Sequence, residues 1–302
     1  MRTSDKIRYK INTATITEKL IAVNVIVFLF FGIINTVFSL FEIPGFADFY
    51  DWFVLPSDPA EFILKPWTII AYSFLHGGIF HLASNMLILY FSGIYFLNFF
   101  SPKRLLNYYF LGVIIGGLVF MLSYNLFPAF AGGKSYLVGA SAGVMAVLIG
   151  VATQAPNMYV RLLIFGNLKF WWIAAALVAI DIIQIPMGNA GGHLAHLGGA
   201  GLGYLYTTQL HKGNDIGAWW ESLMDGIVNL FKKKEKKANM KTVHRTSKKR
   251  TTGTTSSSRN SSMSKSEKQQ KIDSILDKIS KSGYESLTKA EKDFLFQAGK
   301  ED

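Results

Sequence analysis

Three short stretches place hydroxyl, imidazole and carboxamide side chains inside otherwise apolar sequence. "HGGIFHLASN" carries His81 and Asn85, "GASAG" carries Ser141, and "GGHLAHLGGAGLG" carries His193 and His196. A serine hydroxyl is a weak nucleophile until a base takes its proton, and histidine has the pKa for that work. The same imidazole can then protonate a leaving amine. Acyl transfer also builds an oxyanion, and losing one donor aimed at it costs about 100- to 1,000-fold in rate. Ser141 as nucleophile and His196 as base would run that chemistry. His81 and Asn85, four residues apart on one helix face, would form the oxyanion hole with the Ser141 backbone N–H.

Each residue also has a plainer use. Ser141 between Gly139 and Gly143 suits close helix packing, and His196 suits a contact with lipid headgroups. His81 and Asn85 suit hydrogen bonds between helices. All of them are expected at one depth of a membrane, which favours a site, and that depth is set by the elements around them.

The 302-residue chain is 50% apolar and 17% charged, with its charges gathered at the N-terminus, in one loop and in the last third. Such a distribution describes a membrane protein with a soluble tail, not one globular core. The chain has no cysteine, which excludes disulfides, thiolate metal sites and a cysteine nucleophile. The net charge of +11 sits beside hydrophobic spans, so topology control and anionic lipid explain it better than nucleic acid.

Hydropathy predicts six spans, at about 20–41, 80–100, 105–126, 136–154, 170–186 and 192–210. Lys and Arg alternate with them: Arg2, Lys6, Arg8 and Lys10 precede span one, Lys103 and Arg104 follow span two, and Arg161 and Lys169 follow span four. Both termini are therefore expected in the cytoplasm. Spans two, four and six then carry their polar residues in the external half, with Ser141 about 7 Å inside span four at a helical rise of about 1.5 Å per residue. Gly199 and Gly203 follow His196 in an H-x-x-G-x-x-x-G pattern. That face and the Gly139/Gly143 face are expected to meet and bring Ser141 within reach of His196. A dyad without a carboxylate leaves packing to orient the imidazole.

The division expected from the sequence is a cytoplasmic segment (1–17), an all-α six-helix membrane domain (18–212), an amphipathic helix with a polybasic flank (213–237), a disordered Ser/Thr/Lys-rich linker (238–268) and a small helical hairpin (269–302). The first external loop, rich in aromatics and proline, suits the outer membrane interface. In "WWESLMDGIVNLF", Trp219, Trp220, Leu223, Met224, Ile227, Val228 and Phe231 share a face before Lys232, Lys233, Lys234, Lys236 and Lys237, a pattern for an anionic lipid surface. In the hairpin, Ile272, Ile275, Leu276 and Ile279 form a stripe, and Thr288 with Glu291 makes a capping box.

"HGGIFHLASNM", "GASAG" and "AHLGGAGLG", in this order on spans two, four and six, resemble the rhomboid intramembrane serine proteases over about residues 15–212. The tail resembles an extension found on some bacterial members. The resemblance implies a six-helix core, a dyad of Ser141 and His196, and oxyanion donors His81 and Asn85. It also implies that span five with Trp171 and Trp172, and the "IPMGNAGG" loop, form a gate and cap. Substrates in that family are transmembrane segments of other proteins. Met145, four residues after Ser141, stands where many relatives have an aromatic residue packed on the histidine, and Thr68 stands where many have arginine. His193 is the rival base. No cofactor and no metal are expected, and the absence of targeting features suits a bacterial inner membrane.

Three other readings remain open. One is an inactive rhomboid-like binder of transmembrane clients. Another is a metal enzyme or transporter using His76, His81, His193 and His196, although no H-E-x-x-H occurs and no carboxylate lies near these histidines in sequence. An aspartyl protease would need a second aspartate beside Asp181, which is expected to face the external cavity or a neighbouring helix.

Overall fold

The computed structural model describes residues 3–162, 166–231 and 265–299. These belong to two compact units, Met1–Lys234 and Glu235–Asp302. Lys232 to Lys237 and nearly all of the 238–268 linker lie outside the described residues.

In the first unit, α1 (Thr3–Thr13) precedes α2 (Ile16–Leu40), which starts at a Thr15–Glu18 capping box. The loop after α2 holds α3 (Phe46–Asp51), strand β1 (Leu55–Pro56), α4 (Pro59–Leu64) and α5 (Thr68–Ala71). Next come α6 (Ile79–Phe96), α7 (Pro102–Leu126), β2 (Tyr136–Leu137) and α8 (Ser141–Gln154). A hairpin, β3 (Tyr159–Leu162) with β4 (Gly166–Lys169), leads to α9 (Phe170–Gln184). The unit closes with α10 (Ala190–His211) and α11 (Ala218–Phe231). The second unit is α12 (Lys265–Ser282) and α13 (Lys289–Ala298).

The protein is mostly helical, as expected, but two small antiparallel strand pairs qualify an all-α description. Among the described residues, four helices rather than the expected six are long and apolar enough to cross a membrane: α2, α6, α7 and α9 with its 3₁₀ extension to Met187. Helix α8 is shorter, and α10 is diluted by glycine. Ala142, Val144, Ala146, Val147 and Val151 of α8 are buried around its whole circumference, the mark of a central helix. By contrast α2 exposes Ile26, Leu29, Phe30 and Ile33, a surface suited to lipid.

Close packing between α8 and α10 comes from a different pairing than the glycine spacing suggested. Gly199 and Gly203 of α10 press on the backbone carbonyls of Ala142 and Ala146. Gly112 and Gly116 of α7 meet the methyl groups of the same two alanines. Gly143 turns away to α7, where an added Cβ would meet Tyr109 at 2.8 Å and Val113 at 3.0 Å. In an all-apolar helix the sequence does not say which small face meets which neighbour.

Because Gly199 faces backbone, its neighbour cannot yield by a rotamer change. Gly199→Val is expected to destabilise the membrane domain by about 3 kcal/mol, the upper end of overpacking costs. Thermal unfolding in detergent micelles measures it; an unchanged midpoint would show that α10 can shift at no cost.

The loop between α2 and α6 packs part of its aromatic set on α2 and leaves Phe49, Trp52 and Trp67 exposed. Phe49, Tyr50 and Phe53 surround Phe31 of α2 at ring-centroid distances of 5.6, 5.4 and 5.3 Å. Trp52 and Trp67 stack at 5.7 Å, and the Trp67 Nε1–H donates to the Trp52 carbonyl at 2.8 Å. Thr68 is fully buried and donates to the Lys65 carbonyl at 2.7 Å. The apolar face expected on α11 is split. Trp220 is buried with Met224 beside it, while Trp219, Leu223, Ile227 and Val228 remain exposed. Lys103 pairs with Asp225 at 2.8 Å on the exposed side where α11 meets the start of α7.

In the second unit Ile275 is buried and Leu276 is exposed, so the expected stripe holds only in part. The Thr288–Glu291 capping box is present, with Lys278 at 2.9 Å from Glu291. The Lys278 contact, then the Thr288 bonds, lower the Glu291 pKa from 4.5 to about 2. A lowered carboxylate stabilises the fold above its unfolded pKa and loses that stabilisation as pH falls through the folded value. The hairpin should therefore loosen between about pH 5 and 2, read as faster amide exchange at α13 in the intact chain. Exchange that is flat across this window would contradict the role of Glu291.

Candidate functional site

Ser141 is the first residue of α8 and not, as expected, a residue one turn inside a longer helix. The preceding strand β2 pairs with β1, Leu137 opposite Leu55. Gly139 has φ +128°, a conformation that interrupts any helix and that side chains disfavour. The Gly139 N–H donates to the Tyr72 carbonyl at 3.0 Å, and the buried Tyr72 hydroxyl donates to the Val113 carbonyl at 2.7 Å. An extended segment anchored to the first loop thus carries the chain to Ser141. The N–H groups of Ser141, Ala142 and Gly143 precede the first i→i−4 bond, made by Val144 to Ala140. They give this spot the partial positive charge of a helix N-terminus.

Gly139 also joins Ser141 to His81. A Cβ on Gly139 would stand 2.8 Å from His81 Cε1 and Nε2 and 3.5 Å from Ser141 Oγ. His81 Nδ1 accepts a long bond from the Gly77 N–H, 3.4 Å, which leaves the proton on Nε2, the atom beside Gly139. Asn85 is buried one turn further along α6 and spends one of its two N–H groups on the His81 carbonyl at 2.9 Å. Met145 lies one turn below Ser141, buried in the main core.

Helix α10 brings the imidazoles from the other side. A Cβ on Gly116 would meet both the Ala142 methyl group and, at 2.8 Å, the Ala195 carbonyl. His196 follows Ala195 and stands one turn before Gly199, which touches Ala142. These contacts hold the backbone around His196 against the start of α8, where Ser141 lies; among the described residues no hydrogen bond joins the Ser141 hydroxyl to His196, whose bonded partner is Asp181.

Asp181 of α9 faces a neighbouring helix, one of the two expected placements, and meets both histidines of α10. Its buried Oδ1 lies 2.7 Å from His196 Nδ1 and 2.8 Å from His193 Nδ1. An ionised carboxylate only accepts, so with Asp181 ionised both rings donate through Nδ1–H and present Nε2 as the basic nitrogen. The sequence signal was the single acidic residue in span five; its partners lie 12 and 15 residues away, on another helix. These three residues also bring three ligand atoms within 4.8 Å of one another, a donor set that could hold a metal ion. Their contacts of 2.7 and 2.8 Å are hydrogen-bond distances. Ligands of a tetrahedral zinc with bonds of about 2.0 Å stand roughly 3.3 Å apart.

Away from these residues, α6 and α9 flank an apolar cavity of about 630 Å³ whose lining includes Leu87, Phe91, Tyr95, Phe170 and Leu177. It begins beyond Asn85 along α6, toward the end where Arg161 lies.

A hydroxyl at a helix N-terminus, flanked by histidines and set among membrane-length helices, defines a class of polytopic membrane protein. Residues 64–213 match the Rhomboid domain, and the chain belongs to the rhomboid family. Residues 260–300 match a family of unknown function, DUF6576. The chain is 30% identical over 158 residues to RHOMBOID-like protein 12, mitochondrial, of Arabidopsis thaliana, covering 48% of this chain and 47% of that protein. It is 37% identical over 93 residues to Inactive RHOMBOID-like protein 8 of the same plant, covering 31% and 25%. With the human Presenilin-associated rhomboid-like protein, mitochondrial, identity is 25% over 179 residues, covering 58% and 46%. The match thus spans less than half the length of each relative. The protein is a membrane protein; two of these relatives are mitochondrial by name, which lends no support to the expected bacterial inner membrane.

Proposed function

We propose that this protein is an intramembrane serine endopeptidase that cleaves transmembrane segments of other membrane proteins. The observation that carries the reading is the position of Ser141, at the N-terminus of α8 with His81 across Gly139 and, packed on the next residue Ala142, the helix α10 that bears His196. Ser141 Oγ attacks the scissile carbonyl, His196 Nε2 takes the proton and returns it to the leaving amine, and water then releases the acyl group. The oxyanion faces His81 Nε2–H, the second N–H of Asn85 and the Ser141 backbone N–H.

In this reading α2, α6, α7, α8, α9 and α10 are six spans, both termini are cytoplasmic, and Ser141 works in the external half of the bilayer. The cavity between α6 and α9 supports α9, with Trp171 and Trp172, as a lateral gate, and the loop before α10, which turns at Gly188 and Asn189, would be the cap. The exposed face of α11, with the lysines after it, suits an anionic leaflet. No cofactor enters this chemistry.

The relative named inactive keeps a second reading in view, a binder of transmembrane clients that does not cut them. The test is cleavage of a reporter with a helix-destabilised transmembrane segment by the full chain in liposomes, together with fluorophosphonate labelling mapped by mass spectrometry. Cleavage, with label on Ser141, is the expected result. Client binding without cleavage or label would establish the second reading instead.

A further inference from the structure

We infer that Asp181 is a positioning carboxylate, which orients His196 so that the site acts as a Ser141–His196–Asp181 triad; this rests on the serine-protease reading. The span "FWWIAAALVAIDIIQ" holds one charged residue, and a buried carboxylate persists among apolar neighbours only when it is hydrogen-bonded. Here the bonds are specific. One oxygen, Oδ1, takes the Nδ1–H of both His196 and His193, whose rings stand 5.7 Å apart and nearly perpendicular, at 81°. Two donors on one oxygen fix the carboxylate's rotamer from two directions. His193 thereby acts as a buttress for Asp181 and not as a second base.

The consequence for His196 is a set tautomer. With Nδ1 committed to Asp181, its lone pair is on Nε2. When Ser141 Oγ forms its bond to the acyl carbon, the hydroxyl proton moves to Nε2, and the imidazolium keeps its Nδ1–H on the ionised Asp181. As the C–N bond breaks, the Nε2 proton leaves with the amine, and Asp181 never carries it. Packing alone could fix the ring plane of His196, but it could not choose between the two tautomers.

The full chain in liposomes is compared with Asp181→Asn for kcat, KM, fluorophosphonate labelling of Ser141 and thermal unfolding. The expected result is a fall in kcat of about 100-fold or more, with KM within about threefold. Labelling should slow by a similar factor, and the unfolding midpoint should hold. The wild type alone provides a second measurement that needs no variant. In ¹⁵N-histidine spectra, His196 and His193 should both be Nδ1–H tautomers.

An unchanged kcat and labelling rate would overturn the inference. So would a rise in KM matched by a lower unfolding midpoint, which would make Asp181 a tie between α9 and α10 only. An Nε2–H tautomer at His196 would overturn it, as would wild-type cleavage lost to EDTA and restored by Zn²⁺. Wild type that neither cleaves nor labels would instead remove the protease reading and this inference with it. Wild type and Asp181→Asn that label equally fast would remove only the inference.

Discussion

Ser141→Ala is expected to abolish cleavage, a fall of roughly 10⁴-fold or more, while leaving the membrane domain folded. The size follows from chemistry: without Oγ no acyl-enzyme forms, and what remains is the contribution of the oxyanion donors and of binding. The selectivity follows from structure. Ser141 begins α8, but the helix is capped by no side chain; Ala140 holds the cap position. The supports of this segment are backbone bonds, Gly139 to Tyr72 and Val144 to Ala140, which alanine at 141 does not disturb. The unfolding midpoint should therefore match wild type while reporter cleavage disappears. Equal cleavage by both proteins would sink the serine mechanism. A lost midpoint would show that Oγ holds the segment together, and loss of activity would then say nothing of chemistry.

His196→Ala and His193→Ala separate two histidines that make nearly identical bonds to Asp181, at 2.7 and 2.8 Å. Removing His196 takes away the base, and cleavage should fall about 10³- to 10⁴-fold, as for a triad member. Removing His193 takes away one donor to Asp181 and leaves the base in place. A loss of about tenfold is expected. The difference rests on helix geometry: His196 is on the face of α10 that carries Gly199 and Gly203 onto α8, whereas His193 is one turn nearer the helix start. Kinetics of both variants in the same liposomes decide it. If His193→Ala is the silent enzyme and His196→Ala retains most activity, the base has been misassigned.

Much of the proposed site was legible in sequence because it depends on residue types at local spacing. His81 and Asn85 share a face at any i, i+4 position of a helix. Ser141 after Gly139, and His196 before Gly199 and Gly203, are visible for the same reason. The apolar runs of α2, α6 and α7 also announced themselves, since length and hydropathy are properties of a segment and not of its neighbours. The capping boxes at Thr15 and Thr288 bond within four residues of themselves, so each is a property of local sequence.

Other features belong to distances that sequence does not encode. Helix α8 begins five residues later than its hydropathy suggested, because Tyr136 and Leu137 pair with a strand about eighty residues earlier. An apolar segment buried on all sides has no amphipathic stripe to orient it, so Gly143 turned to α7 and left the α10 contact to Ala142 and Ala146. Asp181 looked like an isolated acid in a span until α9 and α10 were side by side. By itself the sequence determined which residues can do chemistry and on which helices they ride. Only the tertiary structure decided which nitrogen faces which oxygen, because a hydrogen bond between helices requires a particular rotation of each, and nothing in an apolar helix's own sequence sets that angle.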